Sequence, residues 1–354
     1  MKDLGLTERF EQEATIYKGL FVGRISSQYK DLYKIITENG ELAGEISGKF
    51  RYEVKSLSDY PAVGDFVMIH RLNNKEGNTI IHHVLTRKSV FERKAAGTSK
   101  DVQVVASNID TVFICMSLNQ DFNLRRLERY LSIAWDSGAV PVVVLTKSDL
   151  CNELQQRLLE ISTVAIAVDV LVTTSMSEDG YLSIQNYISN GKTVAFIGSS
   201  GVGKSTLINR LLGQEIQSTK DIRNDDDKGR HTTTRRELIV LPNGGAVIDT
   251  PGMREIGIES ADFSKAFSDI EELAAECKYK DCTHQLEPGC AVQQALSEGI
   301  LSLERLENYT KLKKEAKYEG LNSKQIETVK IKTMFAEVGG IKNARKFVKE
   351  KRQY

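Results

Sequence analysis

The run Gly198-Ser199-Ser200-Gly201-Val202-Gly203-Lys204-Ser205 constrains this chain more than any other, because of what flanks it. Before it lies Thr193-Val194-Ala195-Phe196-Ile197, apolar enough to be a buried strand, and after it Leu207-Ile208-Asn209-Arg210-Leu211-Leu212 reads as helix. A glycine-rich turn between a buried strand and a helix predicts an α/β domain built on a parallel sheet. The pattern G-x-x-x-x-G-K-[ST] also has its own chemistry. Its backbone N–H groups wrap an anion, the helix start adds partial positive charge, Lys204 reaches outer phosphates and Ser205 offers a hydroxyl to Mg²⁺. Gly198 through Ser205, with Thr206 behind them, are the candidate phosphate ligands for a nucleoside triphosphate.

A second motif bears on the base. Val140-Pro141-Val142-Val143-Val144-Leu145 ends in Thr146-Lys147-Ser148-Asp149, close to the guanine-reading N-K-x-D with Thr in place of Asn. A carboxylate at Asp149 accepts from both N1–H and the 2-amino group of guanine, a donor pair adenine lacks, and the Lys147 stem can cover the base plane. Alone, such a tetrapeptide is equally an ordinary polar turn. Beside a phosphate loop, Thr146, Lys147, Ser148 and Asp149 become candidate guanine contacts. Thr174 and Ser175, in Val172-Thr173-Thr174-Ser175-Met176-Ser177, sit where a second base-contacting loop belongs.

Asp249-Thr250-Pro251-Gly252 follows Gly245-Ala246-Val247-Ile248 and fits D-x-x-G, in which the Asp holds the Mg²⁺ water shell and the Gly N–H senses the outer phosphate. Between it and the phosphate loop lies Gly229-Arg230-His231-Thr232-Thr233-Thr234. This threonine-rich segment suits a switch whose hydroxyl, with Thr233 as the candidate, completes the Mg²⁺ sphere. The polar stretch 214–230 is either part of that switch or a plain surface loop.

The motifs stand in an unusual order. The base motif precedes the phosphate loop by about fifty residues, so the sequence runs base, base, phosphate, first switch, second switch. A parallel sheet tolerates such circular permutation, because loops at the strand C-terminal ends build the site whichever strand comes first.

Outside this region, short β-rich runs at Leu20–Ile25, Leu32–Thr37, Leu42–Ile46, Asp65–Ile69 and Thr79–Leu85 predict a small barrel, either OB-fold or SH3-like. Arg24, Tyr29, Lys34, Lys49, Arg51 and Tyr52 are candidates for an RNA-facing surface on it, with core packing the other reading of its aromatics. Phe91-Glu92-Arg93-Lys94-Ala95-Ala96-Gly97 reads as the linker into the next domain. Towards the C-terminus, Cys277-x₄-Cys282-x-His284-x₅-Cys290 supplies three thiolates and an imidazole, a full tetrahedral set for one structural Zn²⁺. The flanking segments read as polar helices. Formal net charge is zero, yet residues 311–354 hold thirteen Lys/Arg against five Asp/Glu, so a basic tail follows an acidic body. That asymmetry suits a polyanionic partner, or else a solvated helix face. No apolar run approaches a membrane span and the N-terminus lacks a signal-peptide core, which predicts a cytoplasmic chain without membrane contact.

The permuted motifs, together with G-R-H-T-T-T and D-T-P-G-M, resemble the bacterial small-ribosomal-subunit biogenesis GTPases called RsgA (YjeQ). The resemblance runs from about Tyr17 to the C-terminal helices. It implies three domains after an N-terminal extension of residues 1–16: an OB-fold at 17–90, a circularly permuted P-loop GTPase domain at 91–258, and a zinc-binding helical domain with the basic tail at 259–354. It also implies a Cys₃His zinc site and GTP hydrolysis with Mg²⁺. The expected partners are the 30S subunit and 16S rRNA, with the chain a monomer acting in late maturation and its turnover stimulated by the ribosome. Met253 stands where many GTPases place a water-orienting Gln. The family is thought to use a switch histidine instead, which falls on His231.

Overall fold

The computed structural model describes residues 1–29, 31–75, 77–94, 102–119, 122–174, 177, 179–199, 201–213, 237–242, 244–249, 267–279, 282–285 and 287–317. After helix α1 (Glu8–Ala14), the strands β1 (Phe21–Tyr29), β2 (Leu32–Thr37), β3 (Gly40–Ile46), β4 (Phe66–Ile69) and β5 (Thr79–Val84) close into a barrel, with a short helix α2 (Gly48–Glu53) between β3 and β4. The wall runs β1-β2-β3-β5-β4 and returns to β1. The β3–β5 pair is parallel, and the β1–β2, β2–β3, β4–β5 and β1–β4 pairs are antiparallel. That connectivity is the OB-fold and excludes the SH3-like alternative. Alternation builds it: in β2, Tyr33 and Ile35 face a core of Ile25, Leu42, Ile46, Val67, Ile69 and Ile81, while Leu32 and Lys34 face out.

The middle of the chain forms a sheet of β8 (Thr111–Ser117), β9 (Val140–Thr146), β10 (Asp169–Val172), β11 (Thr193–Ile197), β12 (Glu237–Val240) and β13 (Ala246–Asp249), in the order β10-β9-β8-β11-β13-β12. All neighbours are parallel except β12, which runs antiparallel to β13. Every β8 residue is buried, as a strand covered on both faces requires. Val112, Ile114 and Met116 face one apolar layer with α3 (Leu124–Ser137) and α4 (Leu154–Ser162). Phe113 and Cys115 face the other, with α5 (Asp179–Gln185) and α6 (Lys204–Leu212). Asn123 caps α3 by accepting from the Arg126 N–H at 3.0 Å, and Gly138, at φ 83°, ends it.

Between barrel and sheet the expected linker is only partly a linker. Phe91 to Lys94 belong to β6 (Val90–Lys94), which pairs antiparallel with β7 (Val102–Ser107), and Phe91 is buried against α3 and its layer. The barrel is then bonded to the sheet at two places. A bulge in β1 after Ile25 lets its first half pair with β4 and its second half reach β12 through Ser27↔Glu237, so barrel and sheet are one eleven-stranded surface. Beside this, Gly64 (φ 97°) lies so close to β7 that a Cβ would meet the Ser107 carbonyl oxygen at 2.2 Å. The buried Asp65 carboxylate accepts from Arg87 Nε and Nη2 at 2.8 and 2.7 Å, from Ser107 Oγ at 2.5 Å and from the Ala62 N–H at 2.8 Å.

Arg24, expected on an outward RNA face, is 1% exposed. It donates to the carbonyls of Leu4, Gly64 and Asn108, and its guanidinium lies 4.9 Å from the Phe66 ring centroid. Burial pulls its pKa down to about 10, against the opposing pull of Asp110 and Asp65. Three backbone acceptors replace its water shell, so Arg24 is a structural cation of the domain junction. Tyr29, Lys34, Lys49, Arg51 and Tyr52 are exposed as expected, Tyr52 at 90%.

The helices α7 (Ser268–Ala275), α8 (Ala291–Ser297) and α9 (Leu303–Lys317) pack around Phe267, Ile270, Val292, Leu301, Leu306 and Tyr309. Arg305 of α9, 5% exposed, joins this unit to α3. Its Nη1 donates to Glu128 at 2.9 Å, while Nε and Nη2 bond Asp269 at 2.7 and 2.8 Å. Among the described residues no helix is long and apolar enough to cross a membrane.

Candidate functional site: a phosphate loop with a base-reading loop, and a Cys₃His cluster

The carboxyl ends of β8, β9, β10, β11 and β13 gather the motifs into one crevice. From β8 the chain steps outward to β9 and β10, then returns to β11 on the other side of β8, so the sheet reverses between β8 and β11. Ligands of open α/β sheets bind at such a reversal. The phosphate loop begins there, at the end of β11, where Ile197 pairs with Ile114.

Local sterics dictate the loop. Gly198 holds φ 141°, and a Cβ on it would meet the Cys115 carbonyl oxygen at 2.3 Å; Gly201 and Gly203 sit at φ 78° and 96°. Lys204, 6% exposed, curls back so that its ammonium donates to the Gly198 and Ser199 carbonyls at 2.7 and 2.5 Å. Those bonds hold the ammonium against the backbone of the loop. Ser205 is half-buried and Thr206 exposed on the first turn of α6. Asp249 ends β13, one residue past the Ala195↔Ile248 pair, on the same side of the sheet as the loop.

The base-reading loop is tied to this cradle. Thr146, 5% exposed, donates from Oγ1 to the Val202 carbonyl at 2.7 Å. Its hydroxyl is therefore turned towards the phosphate loop, and Asp149 lies exposed in the turn Ser148–Leu150. Lys147, at φ 57°, swings the chain into that turn. The loop after β10 joins it: the Ser148 N–H donates to the Thr173 carbonyl at 3.2 Å and Thr174 Oγ1 to Asp149 Oδ1 at 2.5 Å. Thr146, Ser148, Asp149 and Thr174 are thus brought together from two strands. Ser175, Ser200, His231, Thr233 and Gly252 lie outside the described residues.

In the C-terminal helical unit, Cys277, Cys282, His284 and Cys290 place one donor atom each within 4.8 Å of one another. Sγ of Cys277 lies 3.8 Å from Sγ of Cys290 and 3.6 Å from Nδ1 of His284, and Cys290 Sγ lies 3.5 Å from that nitrogen. Metal–ligand bonds of about 2.3 Å to sulfur and about 2.0–2.1 Å to nitrogen in a tetrahedron give edges of about 3.5–3.8 Å, so Cys277, His284 and Cys290 stand at the spacing of a zinc-sized ion, with the Cys282 thiol within 4.8 Å of each. Local structure holds the donors. Cys290 caps α8, accepting from the Gln293 N–H at 3.4 Å, and the Gln293 side chain donates to the His284 carbonyl at 2.6 Å, fixing a residue at φ 59°. Glu287 accepts from the Thr283 hydroxyl at 2.5 Å and from the Thr283 and Gln285 N–H groups, and those hydrogen bonds, the hydroxyl's first, pull its carboxyl down to about 2.

A family model described as RsgA GTPase matches residues 84–259. The small ribosomal subunit biogenesis GTPase RsgA 2 of Lactiplantibacillus plantarum is 50% identical to this chain over 347 residues, covering 98% of this chain and 97% of that protein. The chain belongs to the RsgA GTPase family. Another relative, the small ribosomal subunit biogenesis GTPase RsgA of Methanosarcina acetivorans, is 42% identical over 97% of this chain and 93% of its own. Among solved structures, YjeQ from Thermotoga maritima matches with a TM-score of 0.63 at 25% identity over 84% of this chain and 98% of that one. YloQ, described as a circularly permuted GTPase, matches in fold with a TM-score of 0.60 at 24% identity, over 85% of this chain and 96% of that one. As an RsgA family member the chain is a GTPase, a hydrolase of GTP.

One residue at the RsgA phosphate loop escaped sequence reasoning. Arg126, on the first turn of α3, donates from Nη1 to Ser199 Oγ at 2.6 Å. In the sequence it is one of three arginines on α3, with Arg125 and Arg129, and helical spacing does not single it out.

Proposed function

We propose that this chain binds GTP and GDP in preference to adenine nucleotides, docks on the small ribosomal subunit, and hydrolyses GTP fastest when docked there. The observation that carries the nucleotide reading is the Thr146–Val202 hydrogen bond, which holds a carboxylate-bearing base loop in register with a phosphate cradle. Asp149 accepts from guanine, Thr174 steadies that carboxylate, and Lys147 covers the base. Lys204 leaves the loop carbonyls for the phosphates. Ser205, Thr233 and Asp249 are the residues that would hold Mg²⁺, which would supply positive charge to the phosphates. His231 orients the attacking water, because Met253 offers no hydrogen bond strong enough to do so.

The ribosomal reading rests on the names of relatives matched over nearly the full chain. Supporting it, Tyr29, Lys34, Lys49, Arg51 and Tyr52 present exposed aromatic and cationic groups on the barrel, and residues 311–354 are strongly basic. We assign 16S rRNA as the surface they meet, Zn²⁺ as the ion of the Cys₃His cluster, and the cytoplasm as the location of a monomeric chain. The test is GTP turnover with and without purified 30S subunits, with 50S subunits and ATP as controls. Stimulation by 30S alone supports the proposal. GTP turnover indifferent to both particles would leave a GTPase whose partner lies elsewhere.

A further inference from the structure

The phosphate loop is held from outside by a helix that the C-terminal domain also grips. Arg126 and Glu128 stand two residues apart on α3 and therefore point to different sides of it. One bonds Ser199 of the loop at 2.6 Å. The other, 1% exposed, receives Arg305 of α9 at 2.9 Å, and Arg305 is in turn clamped by Asp269 of α7 and stacked 5.0 Å from the Phe267 ring centroid. The space enclosed by Cys115, Met116, Arg126, Leu127, Ser199 and Val202 is about 10 Å³. Helix α3 and the loop therefore pack closely, and the Arg126 bond to Ser199 ties them directly.

We propose that Arg126 is a positioning residue for the phosphate site, and that it passes the seating of the C-terminal helices on α3 to the phosphate loop. The proposal rests on the GTPase reading above. When a triphosphate draws Lys204 off the Gly198 and Ser199 carbonyls, the loop loses its internal tie at Ser199. Arg126 then holds that residue from α3, as Thr146 holds Val202 from β9. A partner that presses on the C-terminal helices would thereby alter nucleotide affinity without touching the nucleotide.

The test uses the full chain, measuring GDP and GTP-analogue affinity and GTP turnover for Arg126→Ala, Arg126→Lys, Ser199→Ala, Glu128→Gln, and Ser199→Ala and Glu128→Gln each combined with Arg126→Ala. Thermal melting reports folding in every case. Arg126→Ala should weaken GDP binding roughly tenfold, the weight of one charge-assisted hydrogen bond, with Arg126→Lys recovering part of it. Ser199→Ala and Glu128→Gln should each weaken binding alone and add little in the Arg126→Ala background. Unchanged nucleotide affinity and turnover in Arg126→Ala overturns the positioning role. An effect of Glu128→Gln that is undiminished without Arg126 overturns the transmission. If the unaltered chain binds GDP but hydrolyses no GTP, the enzymatic reading fails, while the affinity series still decides the role of Arg126.

Discussion

The Thr146 hydroxyl donates to the Val202 carbonyl, so the loop after β9 and the loop after β11 form one hydrogen-bonded unit across the intervening β8. Thr146→Val keeps the shape and removes the donor, leaving a buried carbonyl short of a partner at a cost of about 1–3 kcal/mol. GDP affinity should fall about 5- to 150-fold by titration with a fluorescent analogue. The ratio of GTP to ATP affinity should hold; a collapse of that ratio would place Thr146 on the base itself.

Asp149→Asn should separate base choice from phosphate binding. Losing the charged acceptor pair costs about 2–4 kcal/mol for guanine nucleotides, and xanthine nucleotides should gain. Competition of GTP, XTP and ATP against one labelled nucleotide reads this directly. Equal GTP and ATP affinity in the unaltered chain would refute guanine selectivity.

Lys204→Ala and Ser205→Ala should each bring turnover close to zero, through loss of phosphate charge compensation and of Mg²⁺ placement. His231→Ala should instead leave nucleotide affinity nearly intact and slow ribosome-stimulated hydrolysis. Undiminished stimulated turnover in that variant would move water orientation to the partner or to residues 232–234.

Metal analysis should return one zinc per chain, and chelation or Cys282→Ala should lower the melting temperature by unravelling the α7–α9 unit. Thiol labelling gives a second readout. Burial pushes Cys115 up to about 12, against the pull of Lys204, so it stays protonated and unreactive at neutral pH while the chain is folded. The zinc-loaded chain should label only at Cys151, and chelation should add Cys277, Cys282 and Cys290. Rapid labelling of all four before chelation would argue against a bound metal.

Arg305→Met tests the grip of α9 on α3. It strands the buried Glu128 and should destabilise the chain by about 3–5 kcal/mol. Arg305→Met with Glu128→Met should recover much of that loss in denaturant unfolding. A single variant as stable as the parent would show that the ion pair contributes nothing net.

Much of this architecture is legible from period and spacing. The five barrel strands read as short β-rich runs between turn residues, the buried strands of the parallel sheet as unbroken apolar runs, and the phosphate loop announces its own strand and helix. What escaped is what short-range pattern cannot carry. Helix α2 is six residues long, less than two turns, and Gly48 and Tyr52 obscure its period. Strands β6 and β7 are recognisable only through each other, since Glu92 and Arg93 read as linker until Gln103 and Val104 lie opposite them. Arg24 looked outward because a charge in a strand usually is; its acceptors, the carbonyls of Leu4, Gly64 and Asn108, are remote in sequence. Thr146 could be placed in the base motif from the sequence, but the direction of its hydroxyl depends on Val202, fifty-six residues away.

Strand β12 draws its second neighbour from the barrel at Ser27, beside the junction where Gly64 presses on Ser107. Cutting the chain before β6 would turn β12 into a raw sheet margin and strip Ser107 and Asn108 of the groups they meet at Gly64, Asp65 and Arg24. An isolated GTPase domain is therefore expected to stick to its own kind and lose activity for reasons unrelated to RNA. Contributions of the barrel to docking are better resolved by single changes at exposed positions of α2, such as Tyr52→Ala or Arg51→Ala, which leave that seam closed.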